Sequence, residues 1–223
     1  MENKYRVSKE MITRDWPALV VLGAMLVAGI LVYPHLPDLV PAHWNFRGEV
    51  DNYFSRFWGA FALPLMTGGI YLLMLFIPYL DPKRENYPRF ELAYRVVRLG
   101  LVFFLAVLHT TVLVVALGGP ASLVNRVVPL AVGILFILIG NYLPQARFNY
   151  FFGVRTPWTL ASEEVWRRTH RFSGYAFILA GFMFVVAAFL PPPANFILGI
   201  AGPAIAVGGT IVYSYLALRQ VAR

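Results

Sequence analysis

The chain has no cysteine and few charged residues, which make up only 13% of its 223 positions. Without cysteine there is no disulfide framework and no thiolate chemistry. A soluble domain of this size would carry about 25% charged residues, so the low fraction argues against one. No Walker motif, dinucleotide-binding fingerprint or Ser–His–Asp order is present, which does not exclude an enzyme but gives no positive support for one. We expect a protein that is not an enzyme and has no catalytic residue.

Uncharged apolar runs fill most of the chain. Six runs approach the roughly 20 residues that a spanning helix needs. They lie at 16–35, 57–80, 99–117, 127–146, 172–190 and 194–218. Spans in lipid are helices or closed barrels, and these runs lack the alternation of barrel strands. The sequence therefore predicts an all-α membrane protein with six transmembrane helices.

These helices are expected to form a single integral membrane domain, residues 1–223. Within it we distinguish an N-terminal helix pair, residues 1–80, with a loop at 35–56. A four-helix part, residues 95–218, carries a polar motif at 144–171.

The basic residues are concentrated on one side of this domain. The net charge is +8, and 16 of the 19 Lys and Arg residues lie before the first run or after the second, fourth and sixth. Because cytoplasmic segments carry such an excess, we predict cytoplasmic termini, an extracellular loop after helix one and an interfacial cytoplasmic segment between helices four and five. Attraction to anionic membrane lipids accounts for the charge without direct binding of nucleic acid.

The predicted extracellular loop contains one imidazole and several carboxylates. The residues are Asp38, His43, Glu49 and Asp51. They could bind a divalent cation, although no tight zinc spacing such as HExxH is present. They could also form a binding surface for an extracellular ligand or peptide, or face water beside aromatic anchors. Gly48 is expected to allow a turn with positive φ.

The predicted cytoplasmic segment mixes arginine with bulky aromatic residues. Thr156 and Ser162 are predicted helix caps, and Glu163 and Glu164 would each pair with the arginine four positions later. We expect the segment to bind lipid headgroups or a cytoplasmic partner; the alternative is a surface helix with snorkelling arginines. The candidate residues are Asn141, Arg147, Asn149, Arg155, Trp158, Glu163, Trp166, His170 and Arg171.

His109, near the middle of the third run, is the one ionisable candidate inside the membrane. Ion-coupled transporters usually place ionisable groups at this depth. One interpretation is a neutral histidine that is hydrogen-bonded to a neighbouring helix, and the other is a role in proton transfer or substrate passage.

Two stretches resemble conserved units of the SdpI family, the immunity proteins against the sporulation-delaying peptide toxin. They read YPHLPDLVPAHWNFRGEVDNYFSR and GNYLPQARFNYFFGVRTPWTLASEEVWRRTHRFSGY. With the six runs, the resemblance covers nearly the whole chain. It implies a multi-pass plasma-membrane protein that gives resistance to a secreted antimicrobial peptide. It also implies signal transduction, in which the toxin-bound protein holds a cytoplasmic transcriptional repressor at the membrane.

Two other functions stay open from the residues alone. One is a transporter or flippase that moves peptide or lipid through a cavity near His109. The other is a metal-dependent membrane enzyme that uses Asp38, His43 and Asp51. Apart from a divalent cation at the extracellular loop, no cofactor is expected.

Overall fold

The computed structural model describes residues 4–45, 48–191 and 193–221. In chain order the elements are α1 (Lys9–Arg14), α2 (Trp16–Val32), β1 (Leu39–Trp44), β2 (Val50–Ser55), α3 (Arg56–Phe76), α4 (Glu91–Ala116), α5 (Ser122–Tyr142), α6 (Pro157–Ala161), α7 (Glu163–Ala187) and α8 (Ala194–Val221). Six helices in the described ranges are long and apolar enough to cross a membrane: α2, α3, α4, α5, α7 and α8. The prediction of an all-α membrane protein with six spanning helices is therefore confirmed.

The connections between the helices separate onto two sides of the bundle. The N-terminal segment contacts the α3–α4 connection, where Arg84 Nε donates to the carbonyl oxygen of Tyr5 at 2.7 Å. In the same connection, Asn86 Nδ2 donates to the carbonyl oxygen of Phe148, between α5 and α6, at 2.7 Å. We call this the basic side, because it carries these arginine-rich connections, and the opposite side the hairpin side. The assignment of the basic side to the cytoplasm stays a prediction.

The loop between α2 and α3 contains a β-hairpin that the sequence analysis did not predict. Strands β1 and β2 pair antiparallel, with Trp44 opposite Val50 near the turn. Gly48 in the turn has a φ of +79°, as expected from its sequence context. Residues 46 and 47, at the tip, lie outside the described residues. The fold is thus helical throughout its membrane part and carries one small sheet on the hairpin side.

The hairpin is seated directly on α3 through a close contact. Val40 of β1 is fully buried. A Cβ atom on Gly59 of α3 would lie only 2.4 Å from the Val40 side chain, so the glycine makes room for the strand. Outside the strands, Arg56 Nη2 donates to Asp38 Oδ1 at 2.7 Å and ties the start of α3 to the residue before β1.

Four glycines allow α5 and α7 to pack with their backbones in contact. A Cβ atom on Gly140 would lie 2.6 Å from the carbonyl oxygen of Gly174. Seven residues earlier in α5, a Cβ on Gly133 would lie 2.7 Å from the carbonyl oxygen of Gly181. Small residues at such positions let membrane helices approach closely, where van der Waals packing rather than hydrophobic burial holds them together.

A buried ion cluster joins the basic-side ends of α2, α3 and α4. Asp15, before α2, is 0% exposed and Arg98 of α4 is 2% exposed. Arg98 donates from Nε and Nη2 to Asp15 Oδ2 at 3.0 and 2.6 Å. Arg95 Nε donates to Oδ1 at 3.1 Å, and the Tyr71 hydroxyl donates to Oδ2 at 3.2 Å. Two guanidinium groups therefore share one desolvated carboxylate.

Aromatic side chains fill the space beside this cluster. Phe90, at the start of α4, lies parallel to Phe152 with ring centroids 5.8 Å apart. Tyr94 meets Phe152 edge-on at 5.2 Å. Burial raises the pKa of the Tyr5 phenol to about 12, so this hydroxyl stays protonated and donates to the carbonyl oxygen of Leu75 at 3.1 Å. The N-terminal segment is therefore packed into the domain.

Candidate functional site

On the hairpin side, the predicted carboxylates and histidine are divided among three local pairs. Asp38 pairs with Arg56, as described above. His43 Nδ1 lies 2.5 Å from Asp51 Oδ1, across the two strands. Glu49 Oε2 accepts from Asn45 Nδ2 at 3.0 Å, beside the turn. Within the described residues, no three His, Cys, Asp or Glu side chains come together as a metal site would require. A divalent cation at this loop stays a prediction without structural support.

An apolar cavity of about 480 Å³ lies under the hairpin, between β1, β2 and helices α3, α4 and α5. Its walls include Trp44, Phe54, Trp58, Ala62 and Leu108. This volume falls in the range of small-molecule and cofactor pockets, roughly 300–1,000 Å³. Of the loop residues that the sequence analysis singled out, His43 lines this cavity, whereas Asp38, Glu49 and Asp51 do not.

Trp44 forms part of the wall of two cavities. The second cavity has a volume of about 330 Å³ and continues toward the N-terminal ends of α5 and α8, where Asn125 and Asn195 line it. The Trp44 indole Nε1 is buried and has no hydrogen-bond partner among the described residues. A buried donor without an acceptor costs about 1–3 kcal/mol.

His109 is held by the backbone of the neighbouring helix. It is buried, and its Nε2 donates to the carbonyl oxygen of Ala60 at 3.0 Å. Pro64 has no N–H, so the carbonyl oxygen of Ala60, four residues earlier in α3, lacks its helical donor. The imidazole supplies that donor. The geometry agrees with the interpretation of His109 as a neutral histidine that bonds to a neighbouring helix.

On the basic side, Asn149 is a buried centre of hydrogen bonds for the α5–α6 connection. Its Oδ1 accepts from the backbone N–H groups of Phe151 and Phe152 at 3.0 and 2.6 Å. Its Nδ2 donates to the carbonyl oxygens of Arg147 and Phe152 at 2.8 and 3.0 Å. Nearby, the buried Asp81 accepts from the backbone N–H of Tyr150 at 2.9 Å. Asn149 therefore shapes the connection and is not free to contact a partner.

His170 and Trp166 are also interior residues. Their rings stack with centroids 4.0 Å apart, and both side chains are fully buried. His170 Nδ1 donates to the carbonyl oxygen of Trp166 at 2.8 Å, while Nε2 accepts from the backbone N–H of Val154 at 3.0 Å. One neutral tautomer satisfies both bonds. Gly153, with φ of +103°, approaches so closely that a Cβ would lie 2.3 Å from His170 Nε2.

The remaining candidates on the basic side lie at or near the surface. Arg147, Arg155, Glu163, Arg171 and Asn141 are exposed. The half-buried indole of Trp158 packs on Tyr215 of α8 with ring centroids 5.3 Å apart. The structure thus separates the predicted set into an exposed group and the buried group of Asn149, Trp166 and His170.

The helix caps predicted for this segment are formed. Thr156 and Thr159 make a capping box at α6, and Ser162 Oγ accepts from the backbone N–H of Val165 at the start of α7. Glu164 pairs with Arg168 at 2.7 Å, as expected, and also with Arg167. Arg167 was predicted to pair with Glu163, and its ion pair with Glu164, three positions away, replaces that contact.

The sequence analysis missed the buried Asp15 and Arg98, which lie just beyond the ends of the apolar runs. Arg98 was counted only as one of the basic-side charges, and Asp15 was not considered. Their proximity depends on how α2 packs against α4, which no local pattern encodes. Tyr71, on the inner face of α3, completes the same cluster.

Comparisons with known proteins point to one family. Residues 145–214 match the model of the SdpI/YfhL protein family, and residues 20–68 match a domain of unknown function, DUF1648. A curated relative, the Immunity protein SdpI of Bacillus subtilis (strain 168), is 26% identical over 172 residues, which cover 77% of this chain and 80% of the relative. No solved structure matches significantly. The predicted resemblance is thereby confirmed, and the chain is an SdpI-like, multi-pass membrane protein.

Proposed function

We propose that this protein protects the cell that carries it from a secreted, membrane-active antimicrobial peptide, without catalysing a reaction. The observation that carries the proposal is the similarity to the Immunity protein SdpI, which extends over most of both chains. The matched region includes the basic-side segment, residues 145–171, as well as α7 and most of α8. Under this proposal the protein resides in the plasma membrane, with both termini in the cytoplasm.

The hairpin and the cavity beneath it are the proposed receptor for the peptide. A peptide that arrives from outside meets the exposed strand β2 first. The cavity walls are mostly apolar, with His43 and Thr111 as polar residues, which suits the apolar side chains of a membrane-active peptide. Trp44, whose buried indole Nε1 has no hydrogen-bond partner among the described residues, forms part of these walls. We therefore assign the apolar side chains of the peptide to the cavity.

The exposed residues of the basic side are the proposed surface for a cytoplasmic partner, such as the transcriptional repressor that the family resemblance implies. Arg147 and Arg155 are exposed there, on the α5–α6 connection whose backbone is hydrogen-bonded to Asn149, and Glu163 is exposed at the start of α7. Coupling between the two sides requires an element that contacts both. Helix α4 meets this requirement, since Leu108 lines the cavity and Arg98 belongs to the buried ion cluster.

Survival of peptide-sensitive cells tests the proposal. Sensitive cells that express the protein should survive the sporulation-delaying peptide toxin at concentrations that kill cells with an empty vector. Ala62→Phe, which places a ring in the cavity, should remove the protection. Leu65→Phe is the matched control, because Leu65 lies on the exposed face of the same helix.

Two outcomes would contradict the proposal in different ways. If the unmodified protein reaches the membrane and gives no protection, this toxin is not its target, and the proposed function of immunity against it is wrong. If both variants protect equally well, immunity stands, but the cavity is not the receptor.

A further inference from the structure

An arginine-lined cavity of about 750 Å³ opens on the basic side, between the start of α7 and the end of α8. Arg167, Arg168 and Arg171 line it together with a single acidic residue, Glu164. Glu164 contacts both Arg167 and Arg168. Three positive groups therefore face one negative group, and the cavity retains an excess of positive charge.

Arg171 is the most available of these charges. It is exposed and forms no ion pair within the described part of the chain. It lies one turn beyond Arg167 and Arg168 along α7, so its guanidinium is closest to the apolar part of the helix. An exposed guanidinium presents several N–H donors, a geometry that matches phosphate oxygens.

Aromatic rings form the floor of this cavity. Phe172 of α7 and Tyr213 of α8 stack with centroids 4.3 Å apart and planes within 5° of parallel. Tyr175, one turn further, is 72% exposed. Aromatic side chains are enriched at the level of lipid headgroups, where one edge faces water and the body faces hydrocarbon. The ring positions indicate that the arginines lie at headgroup depth.

An exposed apolar stripe continues from the cavity along the same face of α7. Tyr175, Leu179, Phe182 and Val186 follow at intervals of three or four residues, and each is at least half exposed. From Arg171 to Phe182 the helix rises about 16 Å, at roughly 1.5 Å per residue. One leaflet of the hydrocarbon core is about 15 Å deep. A single acyl chain could therefore lie along this stripe while its headgroup reaches the arginines.

We propose that this surface, the arginine cavity together with the α7 stripe, is a binding site for an anionic phospholipid. Arg168 and Arg171 contact the phosphate and the negatively charged headgroup, and the acyl chain packs on Tyr175, Leu179 and Phe182. Charge complementarity selects an anionic lipid over a zwitterionic one. The continuous apolar stripe distinguishes a lipid from a soluble phosphate, which would gain nothing from it. The site is separate from the peptide receptor on the hairpin side.

Native mass spectrometry of the full-length protein, released from neutral detergent, tests this site. The probes are phosphatidylglycerol and phosphatidylcholine, with glycerol 3-phosphate as a soluble competitor. The unmodified protein should retain phosphatidylglycerol in preference to phosphatidylcholine, and excess glycerol 3-phosphate should not displace it. Arg168→Gln/Arg171→Gln should weaken phosphatidylglycerol binding about tenfold or more, since each basic residue near a membrane surface contributes appreciably to anionic lipid binding.

The matched control removes two exposed charges from the same side but outside the cavity, with Arg6→Gln/Arg89→Gln. This variant should bind phosphatidylglycerol as the unmodified protein does. Arg171→Gln alone serves if the double variant does not fold, because Arg171 has no ion pair to lose.

Two results would overturn the site. If both double variants weaken phosphatidylglycerol binding equally, the effect comes from the overall positive charge of the basic side and not from this cavity. Displacement by glycerol 3-phosphate would assign the cavity to a soluble phosphate instead. Neither result bears on peptide immunity, which the survival assay tests independently.

Discussion

Replacement of Asp15 by asparagine should destabilise the protein severely. The substitution keeps the shape of the side chain but removes its charge, which leaves Arg98, 2% exposed, without its buried counterion. Asp15 accepts hydrogen bonds from Arg95, Arg98 and Tyr71. Removal of one partner from a buried pair costs about 3–5 kcal/mol, because the remaining charge stays desolvated and unpaired. The asparagine amide would also place a donor among groups that are all donors.

This cost converts into a measurable loss of thermal stability. For a chain of 150–250 residues, each kcal/mol lowers the unfolding midpoint by about 2–4 °C, which predicts a decrease of roughly 6–20 °C for Asp15→Asn. The assay is the fraction of detergent-solubilised protein that still elutes as a single species after heating. Glu91→Gln is the control, because it breaks the exposed Arg14–Glu91 pair, whose atoms lie 3.6 Å apart. Exposed pairs contribute only about 0–1 kcal/mol.

The two variants should differ clearly in thermal stability. Asp15→Asn should melt well below Glu91→Gln, and Glu91→Gln should melt close to the unmodified protein. If both variants show the same small decrease in the unfolding midpoint, the Asp15 carboxylate is not buried and paired as the structure shows.

Three other substitutions should reveal close backbone contacts. Gly140→Ala should destabilise the protein by about 1–3 kcal/mol through overpacking, measured by the same heating assay, whereas Gly68→Ala, which has open space around it, should not. Gly59→Ala should displace β1 and increase proteolysis of the hairpin, because its Cβ would lie 2.4 Å from the Cβ atom of Val40. Gly153→Ala, at φ +103°, should cost about 1–3 kcal/mol and expose the α5–α6 connection to protease; an unchanged cleavage rate would contradict the conformation.

The six spanning helices could be predicted because each one is a local property of the sequence. An uncharged run of about 20 residues has few alternatives in a bilayer, where backbone groups must be paired internally. The turn at Gly48 and the caps at Thr156 and Ser162 were predictable for the same reason, since each depends on a residue type at one position.

The hairpin and the ion cluster were not predictable in this way. The strands are only six residues long, and Pro41 interrupts the first. Their stability depends on the contact of Val40 with Gly59, which requires the packing of α3. Asp15 and Arg98 are 83 positions apart, so their pairing follows from the arrangement of the helices.

The candidate site residues show the limit of motif reasoning most clearly. Asn149, Trp166 and His170 belong to the segment that resembles the family signature, yet all three are buried and hydrogen-bonded to the backbone. A motif marks residues that matter without distinguishing those that form a surface from those that shape it. In this segment the exposed candidates, which include Arg147, Arg155 and Glu163, are left as groups that a partner could contact.

Direct binding of the labelled sporulation-delaying peptide toxin to the purified protein tests the central claim most directly. The unmodified protein and Leu65→Phe should bind the peptide saturably and with equal affinity, while Ala62→Phe, which fills the cavity under the hairpin, should weaken binding by about tenfold or more, or about 1.4 kcal/mol. Absence of saturable binding to the unmodified protein, or equal affinity of all three proteins, would contradict a peptide receptor at the hairpin.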